Sequence, residues 1–283
     1  MTEDYRWPYS AAERTECLDP LAARIHALST PGKTLAIAIQ GGQGTGKTTL
    51  ARWLTDHLAA TGLSTVGFSL DDFYRSSAER AQIAAAHPGN PYYQLPRGMP
   101  GTHRTEVLLD ALQRLRRGDD VDLPRFDKSL HAGRGDIAGE VHAVRGRQDL
   151  VVFEGWCAGI PPVTAAEVIA LWDRIAASDP TLPTPPLAPE HLSAVLEQVP
   201  EYQPVWALID YWIVLRPDSP ALHLVWREQQ EAELRARTGQ GLSPAEVRNL
   251  VRHFLPFTYP CYERIRADLC IGIDHRHRYY RRS

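Results

Sequence analysis

The sequence predicts an α/β fold of the doubly wound kind, with a mainly parallel, five-stranded sheet flanked by helices. Three observations lead there. Five short, nearly continuous apolar stretches recur along the chain, amphipathic helical patterns lie between them, and a glycine-rich turn joins the first stretch to the first helix. Unbroken apolar runs suit parallel strands covered on both faces, and strand–helix alternation supplies the crossovers that such a sheet needs. Ligands of these sheets bind at the carboxyl ends of the strands.

The predicted strands are Leu35–Ile39, Thr65–Leu70, Leu150–Phe153, Tyr211–Leu215 and Leu269–Ile273. Residues 1–34 are expected to form an N-terminal helical segment. Leu50, Leu54 and Leu58 share one helical face, with Gly62 as a stop signal. Val107, Leu108, Ala111, Leu112 and Leu115 do the same before Gly118. Ser243-Pro-Ala-Glu246 reads as a capping box, and the apolar positions from Val247 to Leu255 follow at helical spacing until Pro256 stops the run. Two regions break the rhythm. Residues 75–146 are rich in Gly, Pro, Arg and His with one clear helix, and residues 179–204 carry seven prolines and read as a surface excursion around a short helix. The ending His275–Ser283 is expected to be a solvated tail. No repeat is visible, so all of residues 1–283 are read as one domain.

Composition excludes several classes. Among 283 residues, 31 Lys and Arg stand against 34 Asp and Glu, a formal charge of −3. This leaves no basic excess for nucleic acid and no acidic block for a disordered tail. The apolar stretch Val205–Leu215 is interrupted by Asp210 and too short to span a bilayer. Cys17, Cys157, Cys261 and Cys270 form no CxxC pair, which argues against a disulfide framework and a structural zinc site. Cys157, Trp206 and Trp212 read as packing residues, and His253 as a core-edge or solvated residue rather than a ligand. The opening Met1-Thr-Glu-Asp4 has no basic or apolar leader pattern, so the expected compartment is the cytosol.

The motif Gly41-Gly42-Gln43-Gly44-Thr45-Gly46-Lys47-Thr48 fits G-x-x-x-x-G-K-[ST] and sits between a strand and a helix, where a phosphate-binding loop must be. Its amides, with Thr49 at the edge, would curl around nucleotide phosphates at a helix N-terminus. Lys47 would reach the terminal phosphates, and the Thr48 hydroxyl would ligate Mg²⁺. No Asn-Lys-x-Asp element for guanine is present. The second strand ends in Asp71-Asp72, where a carboxylate can take the proton of an attacking hydroxyl; a turn or helix-cap pair is the alternative. Glu154 follows the third strand, in position to anchor the metal shell. A small-molecule kinase is the reading these residues favour.

Read in order, several stretches resemble the P-loop glycerate kinases of the phosphoribulokinase/uridine kinase superfamily. They are the loop at 41–48, Ser69-Leu-Asp-Asp-Phe-Tyr74, Asn90-Pro91, Arg97-Gly-Met-Pro-Gly-Thr-His103, Leu123-Pro-Arg-Phe-Asp-Lys-Ser129 and Gly133-Arg-Gly-Asp136. Val152-Phe-Glu-Gly-Trp-Cys-Ala-Gly159, Trp226-Arg-Glu-Gln-Gln-Glu231 and the block 242–256 complete the set, which covers roughly residues 35–270. The resemblance implies ATP- and Mg²⁺-dependent phosphorylation of D-glycerate at its 3-hydroxyl. It sets Asp71 at the catalytic aspartate with Asp72 beside it, and Arg227 in a lid over residues 222–241, for which Gly239 and Gly241 would be hinges. Residues 75–146 then become the acceptor-binding insert. Its cations Arg97, His103, Arg104, Lys128, His131 and Arg134 suit an anionic acceptor, with Arg97, His103, Lys128 and Arg134 as the binding candidates; a solvated basic loop is the alternative. Two positions depart from the family pattern, Arg104 where an acid is expected and Phe126 where a Tyr is expected. A kinase of the same fold for a nucleoside, pantothenate or another hydroxy acid is the nearest alternative, and a non-catalytic ATP-binding switch is a further one.

Overall fold

The structure, a computed structural model, describes residues 7–238 and 241–282. A short helix at Ala11–Glu13 and a π turn at Arg14–Leu18 lead into α1 (Asp19–Leu28), which covers one sheet face with Leu21, Ala22 and Ile25. β1 (Leu35–Gly41) ends in the glycine-rich loop, and α2 (Lys47–Ala59) starts at its last lysine. β2 (Thr65–Ser69) follows, and then the insert with α3 (Ser77–Ala86), α4 (Thr105–Arg117) and two small hairpins. The hairpins pair β3 (Val121–Leu123) with β6 (His142–Val144) and β4 (Phe126–Asp127) with β5 (Asp136–Ile137). Next come β7 (Leu150–Gly155), α5 (Ala165–Ser178), α6 (Pro189–Leu196), α7 (Gln203–Trp206) and β8 (Tyr211–Pro217). α8 (Leu222–Thr238), α9 (Pro244–Arg264), β9 (Leu269–Ile273) and β10 (Tyr279–Arg281) complete the order.

Six strands form the main sheet in the order β10-β9-β8-β1-β7-β2. All neighbours run parallel except β10, which returns antiparallel along β9. β1 lies centrally, in register with β7 from Leu35↔Leu150 to Gln40↔Gly155, so the glycine loop and Glu154 leave the sheet side by side. Every residue of β7 is buried, as a strand covered on both faces must be.

Four expectations need correction. The ending is not a solvated tail: Tyr279–Arg281 form the sixth strand, and Tyr279 is buried against Tyr9 and the core under α1. α9 does not stop at Pro256 but continues through Pro256 and Pro260 to Arg264. Every residue from His253 to Tyr262 is buried, and packing of that length outweighs the roughly 3 kcal/mol cost of an interior proline. The insert holds two helices rather than one, α3 starting from a Ser76/Glu79 capping box. Residues 179–204 are not a surface excursion, because Leu192, Val195, Val199 and Tyr202 are fully buried in the main core. Backbone carbonyls of that segment accept hydrogen bonds from Asn90 Nδ2 (His191 O, 3.1 Å) and Tyr93 Oη (Ala194 O, 3.2 Å), which anchors the insert from behind.

Candidate active site

A cavity of about 870 Å³ opens at the carboxyl ends of β1, β2 and β7, where a doubly wound sheet binds its ligands. One wall is the glycine loop. Gly44 and Gly46 adopt φ of 77° and 82°, left-handed values that glycine takes without strain. A Cβ on Gly44 would also come within 2.8 Å of Trp226 Cβ, so this position is closed to any side chain on two counts. α2 starts immediately after Gly46 with its N-terminus on the cavity, an anion-favouring arrangement. Lys47 Nζ donates to the Gly42 carbonyl at 3.2 Å, and burial lowers its pKa against the opposing pull of Glu154 and Asp71.

Gln43, Gly44, Gly46, Lys47, Thr48 and Thr49 line the cavity, while Gly41, Gly42 and Thr45 form the back of the loop. The Gly42 amide donates to Tyr262 Oη at 2.8 Å and so faces away from the cavity. Thr48 Oγ1 donates to Glu154 Oε1 at 2.9 Å. Burial raises the Glu154 pKa, Lys47 opposes that rise, and nearby Asp71 adds to it. A hydroxyl beside an electrostatically strained carboxylate is a hard-oxygen pair that fits Mg²⁺. Among the described residues, no group of three or more His, Cys, Asp or Glu side chains is placed to hold a metal. This pair therefore suits an ion that takes its other ligands from phosphates and water.

The two aspartates diverge. Asp71 faces the cavity, where Lys128 Nζ donates to its Oδ2 at 2.6 Å, and Tyr74 lines the same cavity. Burial alone would raise the Asp71 pKa, but the Lys128 ammonium and its hydrogen bond, with Lys47 behind them, hold it below the ordinary value. Asp72 does not line the cavity. Its Oδ2 accepts from Ser69 N at 3.1 Å in a capping box and from Arg125 Nη1 at 3.3 Å.

The basic residues divide as well. Arg97 and Lys128 line the cavity, and Arg97 Nη1 donates to Gly133 O at 2.7 Å. Arg134 is exposed, away from the cavity wall, and contributes its carbonyl to Arg80. His103 is fully buried behind Tyr74, with ring centroids 4.4 Å apart, and pairs through Nδ1 with Tyr202 Oη at 2.7 Å. Burial pushes its pKa down to about 3, so the ring is neutral. Arg227 reaches the cavity from α8 and is held by Glu231, itself buried and accepting from Leu242 N at 2.9 Å. Gly241 lies on the cavity wall, and Gly239 is outside the described residues.

Sequence reasoning missed Arg80. Its buried guanidinium donates to Pro96 O at 3.0 Å, Arg134 O at 2.9 Å and Gly135 O at 2.6 Å, and it lies over the Phe126 ring. That one side chain ties both acceptor-side loops to α3, and the Ser76/Glu79 capping box was the available signal for the helix that carries it.

A phosphate loop at the head of a parallel sheet, with a hydroxyl–carboxylate metal pair and a cavity-facing aspartate, defines a P-loop kinase. No family model matches the chain. The uncharacterized kinase mug58 of Schizosaccharomyces pombe is 34% identical over 235 residues, covering 80% of this chain and 80% of that protein. The chloroplastic D-glycerate 3-kinase of Arabidopsis thaliana is 31% identical over 235 residues, covering 81% of this chain and 47% of the longer plant protein. The solved D-glycerate 3-kinase of Cryptococcus neoformans matches with a TM-score of 0.79 at 26% identity, covering 93% and 94% of the two chains. The chain belongs to the glycerate kinase/uridine kinase family of ATP-dependent P-loop kinases. Among the described residues, no helix is long and apolar enough to cross a membrane.

Proposed function

We propose that the protein is a D-glycerate 3-kinase, transferring the γ-phosphoryl group of ATP to the 3-hydroxyl of D-glycerate to give 3-phosphoglycerate. The observation that carries this reading is Asp71 beside Lys128, 2.6 Å apart, with Arg97 on the same cavity as the phosphate loop. A carboxylate next to two cations serves a substrate that brings both a hydroxyl to deprotonate and a carboxylate to neutralise. The glycerate kinases of Arabidopsis and Cryptococcus support the same acceptor.

In this mechanism Arg97 and Lys128 bind the acceptor carboxylate and turn the distal hydroxyl toward Asp71. Asp71 takes the hydroxyl proton as the new O–P bond forms and the bond from the γ-phosphorus to its bridging oxygen breaks, releasing ADP. The loop amides and Lys47 hold the β- and γ-phosphate oxygens, and Arg227, released from Glu231, steadies the group in transfer. Thr48 and Glu154 would hold Mg²⁺, which when bound offsets phosphate charge. Asp72 supports Asp71 through the 69–72 cap, and His103 supports it by backing Tyr74. Arg134 acts through the loop that its carbonyl joins to Arg80. The four cysteines are free thiols, in keeping with the cytosol as the working compartment.

A coupled ADP-release assay with Mg-ATP tests this, with D-glycerate, L-glycerate, uridine and pantothenate as parallel acceptors. Stimulation by D-glycerate alone is the expected result. Stimulation by uridine or pantothenate instead would replace the acceptor and keep the kinase; slow hydrolysis indifferent to every acceptor would favour a nucleotide switch.

A further inference from the structure

Two carbonyls of the phosphate loop are held from outside by side chains that come from the far end of the chain. His223, in the first turn of α8, uses Nδ1 to donate to Gln43 O at 2.9 Å. Tyr279, on β10, donates from Oη to Thr45 O at 2.7 Å. The tautomer of His223 is fixed by its other nitrogen, which faces Tyr262 Oη at 3.3 Å, and that hydroxyl accepts the Gly42 amide at 2.8 Å. Both His223 and Tyr279 are buried. Trp226, three residues along α8 from His223, lies against Gly44 and stacks on His277 with ring centroids 4.4 Å apart.

In a peptide unit the carbonyl and the amide point in opposite directions, so tethering a carbonyl fixes the direction of the next amide. We propose that His223 and Tyr279 are positioning residues for the nucleotide. By holding the carbonyls of Gln43 and Thr45 outward, they keep the amides of Gly44 and Gly46, both on the cavity side of the loop, turned toward the phosphates. A glycine-rich loop has many backbone states to lose on binding, and a loop already held in one of them binds phosphate without that ordering cost. Because Trp226 and Arg227 are adjacent on α8, the same clamp fixes the root of the helix that presents the lid arginine. The proposal rests on the reading of this loop as the ATP site.

The test uses the full-length chain and measures Mg-ATP binding by calorimetry together with KM for ATP and for the acceptor. Tyr279→Phe removes one donor and keeps the ring. His223→Ala removes the second, and His223→Asn returns a side-chain N–H there. Tyr280→Phe serves as the control, since the Tyr280 hydroxyl bonds Asp218, not the loop. One lost hydrogen bond of ordinary strength corresponds to about fivefold in affinity. Tyr279→Phe and His223→Ala should each weaken ATP binding by about fivefold, and the double variant by more than tenfold. Acceptor KM and the Tyr280→Phe control should stay within about twofold, with partial recovery in His223→Asn. Folded variants that bind Mg-ATP as wild type does, or that lose ATP and acceptor affinity equally, overturn the clamp alone. Wild-type protein that binds no Mg-ATP overturns the nucleotide reading and the clamp with it.

Discussion

Lys128 offers the sharpest perturbation of the proposed chemistry, because it touches the proposed base directly. Its ammonium lies 2.6 Å from Asp71 Oδ2, with the lysine side chain 56% and the aspartate side chain 28% exposed. With the dielectric of water, Coulomb's law gives about 1.6 kcal/mol at this separation. Lys128→Met should therefore let the Asp71 pKa rise, since the Lys128 ammonium and its hydrogen bond hold it down. A general base works ionised, so activity grows as pH rises through its pKa, and a higher pKa moves the acid limb to higher pH. The profile of kcat/KM against pH reports groups of the free enzyme, which is the state in which the pair is seen. Coupled assays across the acid limb should place the variant's limb at higher pH than that of wild type, along with a raised acceptor KM. Thermal stability should change little, since so exposed a pair contributes at most about 1 kcal/mol. An acid limb that does not move while the acceptor KM rises would refute the reasoning: Lys128 would bind acceptor, but Asp71 would not be the group whose ionisation governs turnover.

Other outcomes follow from the same geometry. Asp71→Asn keeps the shape and one acceptor oxygen, so kcat should fall by about 10²- to 10⁴-fold with KM for ATP changed only a few-fold; equal losses in both would make Asp71 a binding or folding residue. Glu154→Gln should raise the Mg²⁺ concentration needed for half-maximal rate by about tenfold or more, read by titrating MgCl₂ at fixed ATP; an unchanged titration would remove Glu154 from the metal shell. Burial lowers the pKa of His223 from 6.5 to about 4 and that of His103 from 6.5 to about 3. The unfolded chain takes up these protons below pH 6.5 while the native fold refuses them, so stability is full above 6.5 and declines as pH falls. Each histidine should cost about 2 kcal/mol between pH 7 and 5. Urea midpoints at the two pH values measure this, and identical midpoints would contradict it.

What could be read from the sequence was what local pattern determines. The five parallel strands are short apolar runs, and the phosphate loop is fixed by its own glycines, so both lay in the positions expected. β10 was not legible: its segment, His-Arg-His-Arg-Tyr-Tyr-Arg, is polar, and it becomes a strand only because β9 offers an edge. Pro256 and Pro260 misled for a related reason, since burial of one long helix on the main core overrides a local stop signal. At the site, residue types and elements were legible but side-chain directions were not. Asp71 and Asp72 are neighbours of equal chemistry, and the capping box closed by Ser69 turns one into the cap and leaves the other to the cavity. His103 reads as a basic residue in an acceptor loop, yet Tyr202, distant in sequence, draws it into the interior.

The most direct measurement is to incubate the purified chain with Mg-ATP and D-glycerate and identify the product by phosphorus and carbon NMR. The account predicts one phosphomonoester, on carbon 3, formed in step with ADP. ADP without a glycerate ester, or a phosphate on carbon 2, would contradict it.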